Sequence, residues 1–216
     1  CGSTFARDAL AELGGPVERC AVVPYAGYRV PSAALATGTE RTERSPRRNC
    51  ELRVLFVGTL QLRKGLPYLL EALRQLADPR IKVRLVGPSR LSAQAIQALG
   101  QWCHIVGPVP RDQVVAHYAW ADVFVLPTLS EGSANVVYEA MAAGLAVVTT
   151  PNAGSVIRAG EDGLLVPIRD VEALANALKQ LTESVETRVR LGQKARKRLN
   201  AKNVDLYTTK LVYAVD

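Results

Sequence analysis

Two glutamates, Glu131 and Glu139, bracket the stretch Gly132-Ser133-Ala134-Asn135-Val136-Val137-Tyr138. It follows the apolar run Val123 to Leu126, so a buried strand ends, a Ser-Glu-Gly-Ser turn follows, and a helix opens with free backbone N–H groups. The start of a helix attracts an anion. Carboxylates on either side would repel a phosphate, so they suit the hydroxyls of whatever the phosphate carries. That combination points to a sugar nucleotide. The plainer reading is that Ser130 and Glu131 cap a helix whose Val136, Val137, Ala140 and Met141 pack on a sheet. Capping leaves Glu139 unexplained, a charge inside an otherwise apolar, small-residue helix. Asn135 and Glu139 lie one turn apart and share a face. That face must meet solvent or a polar ligand.

Two further strand ends carry polar chemistry. In Gly58-Thr59-Leu60-Gln61-Leu62-Arg63-Lys64-Gly65, Gly58 lets a ligand approach the backbone. Lys64 can neutralise a diphosphate as a point charge, with Arg63 beside it. An Arg-Lys pair at a helix start is ordinarily just surface, but cations are unfavourable at that end of the helix dipole. The misplacement raises the functional reading. In Gly107-Pro108-Val109-Pro110 two prolines fix a loop, and the backbone groups of Val109 could meet a flat base edge-on. Alone, this second loop is only a turn.

The elements that must position these residues follow from periodicity. Strands are expected at 20–24, 52–57, 81–86, 104–106, 123–126, 146–149 and 164–166, and helices at 3–14, 65–77, 92–99, 112–119, 134–143, 170–182, 185–199 and 203–214. Strand and helix alternate from residue 52 onward, which means a parallel, doubly wound, Rossmann-like α/β sheet. The strands lack clean apolar alternation, as burial on both faces requires. Ligands of such sheets bind at the carboxyl ends of the strands, where all the residues above lie. Residues 29–50 have no periodicity and read as a linker. The sequence divides into 1–28, a linker at 29–50, a sheet domain at 51–202 and a last helix at 203–216.

Composition sets limits on function. The 216 residues can bury one good core, and 48% hydrophobic with 22% charged residues is ordinary for a globular protein. No apolar run approaches a membrane span and no signal-peptide pattern opens the chain. A chain beginning at Cys1 in what reads as mid-helix sequence is expected to be a piece of something longer. Cys1, Cys20, Cys50 and Cys103 are scattered without ligand spacing, so no metal site is expected and a reducing, cytoplasmic setting fits. The net charge of +7 sits in one place: Arg188, Arg190, Lys194, Arg196, Lys197, Arg198 and Lys202 lie in an acid-free segment, and the other 20 Lys/Arg equal the 20 Asp/Glu. The bland reading is a solvated helical face; the sharper one is peripheral contact with anionic lipid through 188–202. Nucleic acid is disfavoured because no aromatics interleave these charges.

At this point the residues resemble the C-terminal, donor-binding half of GT-B fold retaining glycosyltransferases of family 4. The resemblance rests on Glu131 and Glu139 spaced as Glu-x7-Glu and continuing Ala140-Met141-Ala142-Ala143-Gly144. It extends to Asn152-Ala153-Gly154-Ser155, to Glu161-Asp162-Gly163-Leu164-Leu165-Val166, to the loop at 57–65 and to Cys20 through Tyr25. It covers roughly residues 1–182. It implies a hexosyltransferase moving sugar from a UDP- or GDP-sugar to an acceptor, without a metal or other cofactor. Lys64 would hold the donor diphosphate with the amides of Gly132, Ser133 and Ala134. Glu139 would take the ribose hydroxyls, Glu131 those of the transferred sugar, and Val109 the base, with Gly58, Thr59 and Asn135 lining the donor site. Family members often carry arginine where this chain has Thr59, and Arg63 is the candidate substitute. The acceptor-binding N-terminal domain would be missing except for its last helix and strand. The fragment alone is then expected to bind donor without transferring sugar. The rival classes are a non-catalytic nucleotide-binding or regulatory module of the same fold, and a GT-B epimerase or phosphorylase.

Overall fold

The computed structural model describes residues 1–23 and 51–201. The expected linker at 29–50 and final helix at 203–214 lie outside them. The strands are β1 (Leu52–Val57), β2 (Ile81–Val86), β3 (Cys103–Gly107), β4 (Val123–Leu126), β5 (Ala146–Thr149) and β6 (Leu164–Leu165). The helices are α1 (Thr4–Glu12), α2 (Leu66–Leu76), α3 (Ala93–Gly100), α4 (Val114–Trp120), α5 (Asn135–Ala142), α6 (Val171–Glu183) and α7 (Val185–Ala201). Their boundaries lie within about two residues of the periodicity, the usual slack at frayed ends. Caps set several of them: Ser92 Oγ accepts the Ala95 N–H at 3.3 Å, and Asp170 Oδ1 accepts that of Ala173 at 2.8 Å.

All strand pairs are parallel, in the order β3-β2-β1-β4-β5-β6. The chain winds outward from β1 to β3, returns, and winds the other way from β4 to β6. Right-handed crossovers then put the helices of the two halves on opposite faces. α6 packs with α2 on one face, and α7 packs with α5 and β5 on the other. β4 and β5 are buried along their whole length, and Phe56, Phe124, Leu126 and Met141 are completely enclosed. The winding direction reverses between β1 and β4. The crevice outside the carboxyl ends of these two strands is where ligands of such sheets bind.

Three expectations are corrected. No strand forms over Cys20 to Val23; the chain makes a 3-10 turn at Val17–Arg19 and continues irregularly, since this short apolar run has no neighbouring strand to pair with among the described residues. Arg63 and Lys64 do not open a helix. They close a separate 3-10 turn, Leu62–Lys64, and Gly65 at φ +79° reverses the chain before α2 begins. A Cβ on Gly65 would run into the Pro127 carbonyl, so only glycine fits.

The third correction concerns the basic segment. It is helical through Ala201, Lys202 lying outside the described residues, but its described cations do not share one solvated face. Arg188 is buried and donates to the Glu51 carbonyl at 3.1 Å, with Asp122 at 3.8 Å. Arg198 donates to the Val156 carbonyl at 2.7 Å, while Arg190, Lys194 and Lys197 are exposed. Nor are all the cysteines scattered in space: the sulfurs of Cys1 and Cys20 lie 3.2 Å apart. Cys103 is buried, which pushes its thiol up to about 12 and leaves it unreactive. No helix among the described residues is long and apolar enough to cross a membrane.

Candidate functional site

The crevice between β1 and β4 is walled by two loops bolted together through the main chain. The Arg63 carbonyl accepts the Leu129 N–H at 2.9 Å and the Thr128 hydroxyl at 3.1 Å. On the other side, the Glu131 N–H donates to the Asn152 carbonyl at 2.8 Å, and Asn152 Nδ2 donates to the Leu129 carbonyl at 2.7 Å. The Thr150 hydroxyl donates to the Thr128 carbonyl at 2.6 Å. The segment 128–131 is therefore held from both flanks. Its side chains keep a fixed bearing on the turn at 62–64.

That bearing makes a three-residue ion cluster. Arg63 Nη1 lies 2.8 Å from Glu131 Oε1, and Lys64 Nζ contacts the same oxygen. The guanidinium also donates to the Ser130 carbonyl. Lys64 and Glu131 are largely enclosed, with side chains 13% and 15% exposed, whereas Arg63 is 49% exposed. Two cations meet one carboxylate, so the cluster carries a net positive charge at the mouth of the sheet. Such a cluster can take an anion at little desolvation cost, because the cations already have a negative neighbour to exchange. Gly58 lies beneath it: a Cβ there would sit 4.0 Å from Lys64 Cε.

The turn at 132–134 completes the anion side. Ala134 occupies the cap position of α5 without a side-chain cap, so neither Ser130 nor Glu131 caps this helix. Ser3, whose Oγ accepts the Ala6 N–H at 3.1 Å to cap α1, also donates to the Gly132 carbonyl. In a trans peptide the C=O and N–H point opposite ways. Anchoring the Gly132 carbonyl on Ser3 thus aims the Ser133 N–H away from α1. Gly154, at φ +61°, keeps this joint tight: a Cβ on it would lie 2.5 Å from the Gly132 carbonyl oxygen and 2.7 Å from Ser3 Oγ. The Gly132 and Ser133 N–H groups find no acceptor among the described residues. Ala134 differs from the expectation: its N–H donates to the Ala153 carbonyl at 3.0 Å and is not available to a phosphate.

Of the other expected residues, Asn135 is exposed on the first turn of α5 and Thr59 is half-buried just past β1. Val109 follows β3, two strands away from β1, and packs half-buried against the core. Its backbone groups have no partner among the described residues. Glu139 is half-buried on α5 and accepts the Tyr118 hydroxyl at 2.7 Å on Oε2. Beside Tyr118 on α4, His117 is held below its ordinary value by burial and by the nearby Arg84 and His104. Sequence reasoning missed Tyr118 altogether, and it placed Ser3 only at the start of the helix expected at 3–14. A lone aromatic near a helix end carries no signal distinguishing it from core.

Comparison with known proteins places these features in context. The family model for glycosyl transferases group 1 matches residues 51–184, more than half of the chain. The chain is similar to D-inositol 3-phosphate glycosyltransferase of Corynebacterium glutamicum, at 32% identity over 206 residues, covering 88% of this chain and 49% of that protein. It is also similar to the putative teichuronic acid biosynthesis glycosyltransferase TuaC of Bacillus subtilis, at 35% over 149 residues, covering 65% and 37%. The chain thus spans about half or less of the length of these relatives. In fold it is similar to Anabaena HepE crystallised with UDP and glucose, with a TM-score of 0.78 at 19% identity, covering all of this chain and 62% of that one. Sucrose-phosphate synthase from Thermosynechococcus elongatus gives 0.73 at 25% identity, covering 98% and 55%.

Proposed function

The chain belongs to the group 1 glycosyl transferases, and within that family we propose that it is the donor-binding half of a retaining, metal-independent hexosyltransferase. The donor is a UDP- or GDP-sugar, and the acceptor is held by an N-terminal domain that pairs with this one. The observation that carries the reading is the ion cluster at the switch point, where Arg63 and Lys64 from the loop after β1 meet Glu131 from the loop after β4. A sugar nucleotide bears a diphosphate flanked by two polyols. Cations flanked by two carboxylates, with unpaired amides between, match it group for group.

In this reading Lys64, Arg63 and Glu131 are the catalytic residues. When the sugar leaves, negative charge grows on the diphosphate, and donors already aimed at it lower the barrier without reorganising. Lys64 and Arg63 supply that charge, with the Gly132 and Ser133 amides beside them. The guanidinium takes the part that an arginine at position 59 would play. Glu131, released by the cations, turns to the hydroxyls of the transferred sugar, and Glu139 takes the ribose. The exposed loop at Val109 meets the base. Relatives named as glycosyltransferases and a fold neighbour holding UDP support sugar transfer from a nucleotide-linked donor.

Calorimetry of the chain with a panel of nucleoside diphosphates in metal-free buffer tests the proposal. One of UDP and GDP is expected to bind, and Glu139→Ala to abolish the signal. Silence with every nucleotide would sink the donor-domain reading.

A further inference from the structure

Glu139 does not stand alone. Its Oε2 accepts a hydrogen bond of 2.7 Å from the hydroxyl of Tyr118, a residue on a different helix and 4% exposed. The same hydroxyl lies 3.4 Å from the Val136 carbonyl, a contact too long to compete for its single proton. The ring is held in turn: it packs against Phe124 of β4 with centroids 6.2 Å apart at 35°. α4 brings the chain back from the edge strand β3 to β4, so Tyr118 reaches α5 from the far side of the switch point. A glutamate side chain has three rotatable bonds and loses considerable freedom when a ligand fixes it. A tyrosine clamped in the core has none left to lose. It passes that order to the carboxylate through a short, charge-assisted bond.

We propose that Tyr118 is a positioning residue that fixes the Glu139 carboxylate, and that this makes the site distinguish ribonucleotides from 2′-deoxyribonucleotides. The inference rests on the reading of Glu139 as the ribose anchor. With Oε2 committed to the phenol on one side, the carboxylate cannot swing, and Oε1 together with the outer lone pair of Oε2 faces outward as a fixed two-point acceptor. A vicinal diol presents two donors at matching spacing. A 2′-deoxyribose presents only one and leaves an acceptor oxygen without its partner, which is where the discrimination arises. Without the phenol, Glu139 retains its charge but samples several rotamers, and the second hydroxyl gains less.

The test compares UDP with 2′-deoxy-UDP, and GDP with 2′-deoxy-GDP, by calorimetry on the wild-type chain and on Tyr118→Phe. Phenylalanine keeps the ring contact with Phe124, and thermal melting confirms that the variant folds. Wild type is expected to prefer the ribonucleotide by about tenfold or more, as one well-made hydrogen bond to a charged group allows, and the variant by less than about threefold. The ratio isolates the inference, since a general loosening of the site would weaken both nucleotides equally. A second arm uses Glu139→Gln, in which adding Tyr118→Phe should leave the ratio where the single variant set it. If wild type prefers the ribonucleotide and Tyr118→Phe preserves that ratio, the role of Tyr118 is overturned while the donor reading stands. If wild type binds both sugars alike, or binds neither, the ribose reading of Glu139 falls and the inference with it.

Discussion

At the crevice, Arg63 and Lys64 converge on one carboxylate oxygen of Glu131, and among the described residues only the loop carbonyl of Ser130 shares the guanidinium. On α7, Arg188 and Arg198 are bound differently. Arg188 joins the Glu51 carbonyl and Asp122, tying the helix to the starts of β1 and β4, and Asp122 Oδ2 also accepts the Arg53 N–H at 3.1 Å. Arg198 bonds the Val156 carbonyl and approaches Asp162, a fully buried carboxylate that already accepts the Arg158 N–H at 2.6 Å. The side chains are alike in type and opposite in use. Arg188 and Arg198, bound to main-chain carbonyls of other elements, hold those elements in place, because a carbonyl has nowhere else to go. Lys64, bound to a single carboxylate at an open end, can exchange it for another anion, while Arg63 keeps the Ser130 carbonyl.

The largest effect expected from this contrast is on stability. Arg188→Ala strips the Glu51 carbonyl of a buried, charged donor and should cost about 2 kcal/mol, the range for leaving a buried acceptor unpaired. For a chain of this size that lowers the melting temperature by roughly 6 °C. Nucleotide affinity of the folded protein should stay at the wild-type value. An unchanged melting curve would mean that α7 is held by packing alone, and the contrast would lose one side.

Lys64→Ala should do the reverse. Arg63 continues to hold Glu131, so the fold loses little, whereas the diphosphate loses its most enclosed cation. The dissociation constant for the nucleotide is expected to rise at least about tenfold, equivalent to 1.4 kcal/mol, with melting shifted by no more than a degree or two. Calorimetry and thermal melting on the same sample check both halves. Equal binding by variant and wild type would remove Lys64 from the site.

Much of this contrast was legible in the sequence at the level of elements. β1 announces itself by a buried apolar run stopped at Gly58, and α2 by Leu66, Leu69 and Leu73 recurring along one side. The alternation of such runs fixes a parallel sheet and therefore the end at which Lys64 and Glu131 lie. What stayed hidden is everything that depends on distant pairing. Arg188 and Arg63 look alike in a linear reading, and only the sheet order decides that one meets Glu51 and the other Glu131. Tyr118 stands 21 residues from Glu139, and Ser3 stands 129 from Gly132. No local periodicity relates them. The missing strand at Cys20 has the same cause, since an apolar run becomes a strand only when a neighbour offers hydrogen bonds.

The smallest expected effect concerns Glu131, and it sharpens the contrast most. If the crevice cations are poised for exchange, Glu131 is their placeholder. An incoming diphosphate must part it from Arg63 and Lys64 and tolerate its charge nearby. Glu131→Gln keeps the shape and removes that competition, so the bare nucleoside diphosphate should bind about threefold tighter, a gain of well under the 1.4 kcal/mol of a tenfold change. The sugar-bearing nucleotide should gain less or nothing, because the freed carboxylate that would receive its hydroxyls is gone. The two ligands measured side by side, UDP with UDP-glucose or GDP with GDP-mannose, should therefore move apart in the variant. Were the bare diphosphate instead to bind more weakly, Glu131 would be orienting the cations rather than occupying them. The crevice would then be built on the same plan as the α7 side, a fixed joint with no ion exchange.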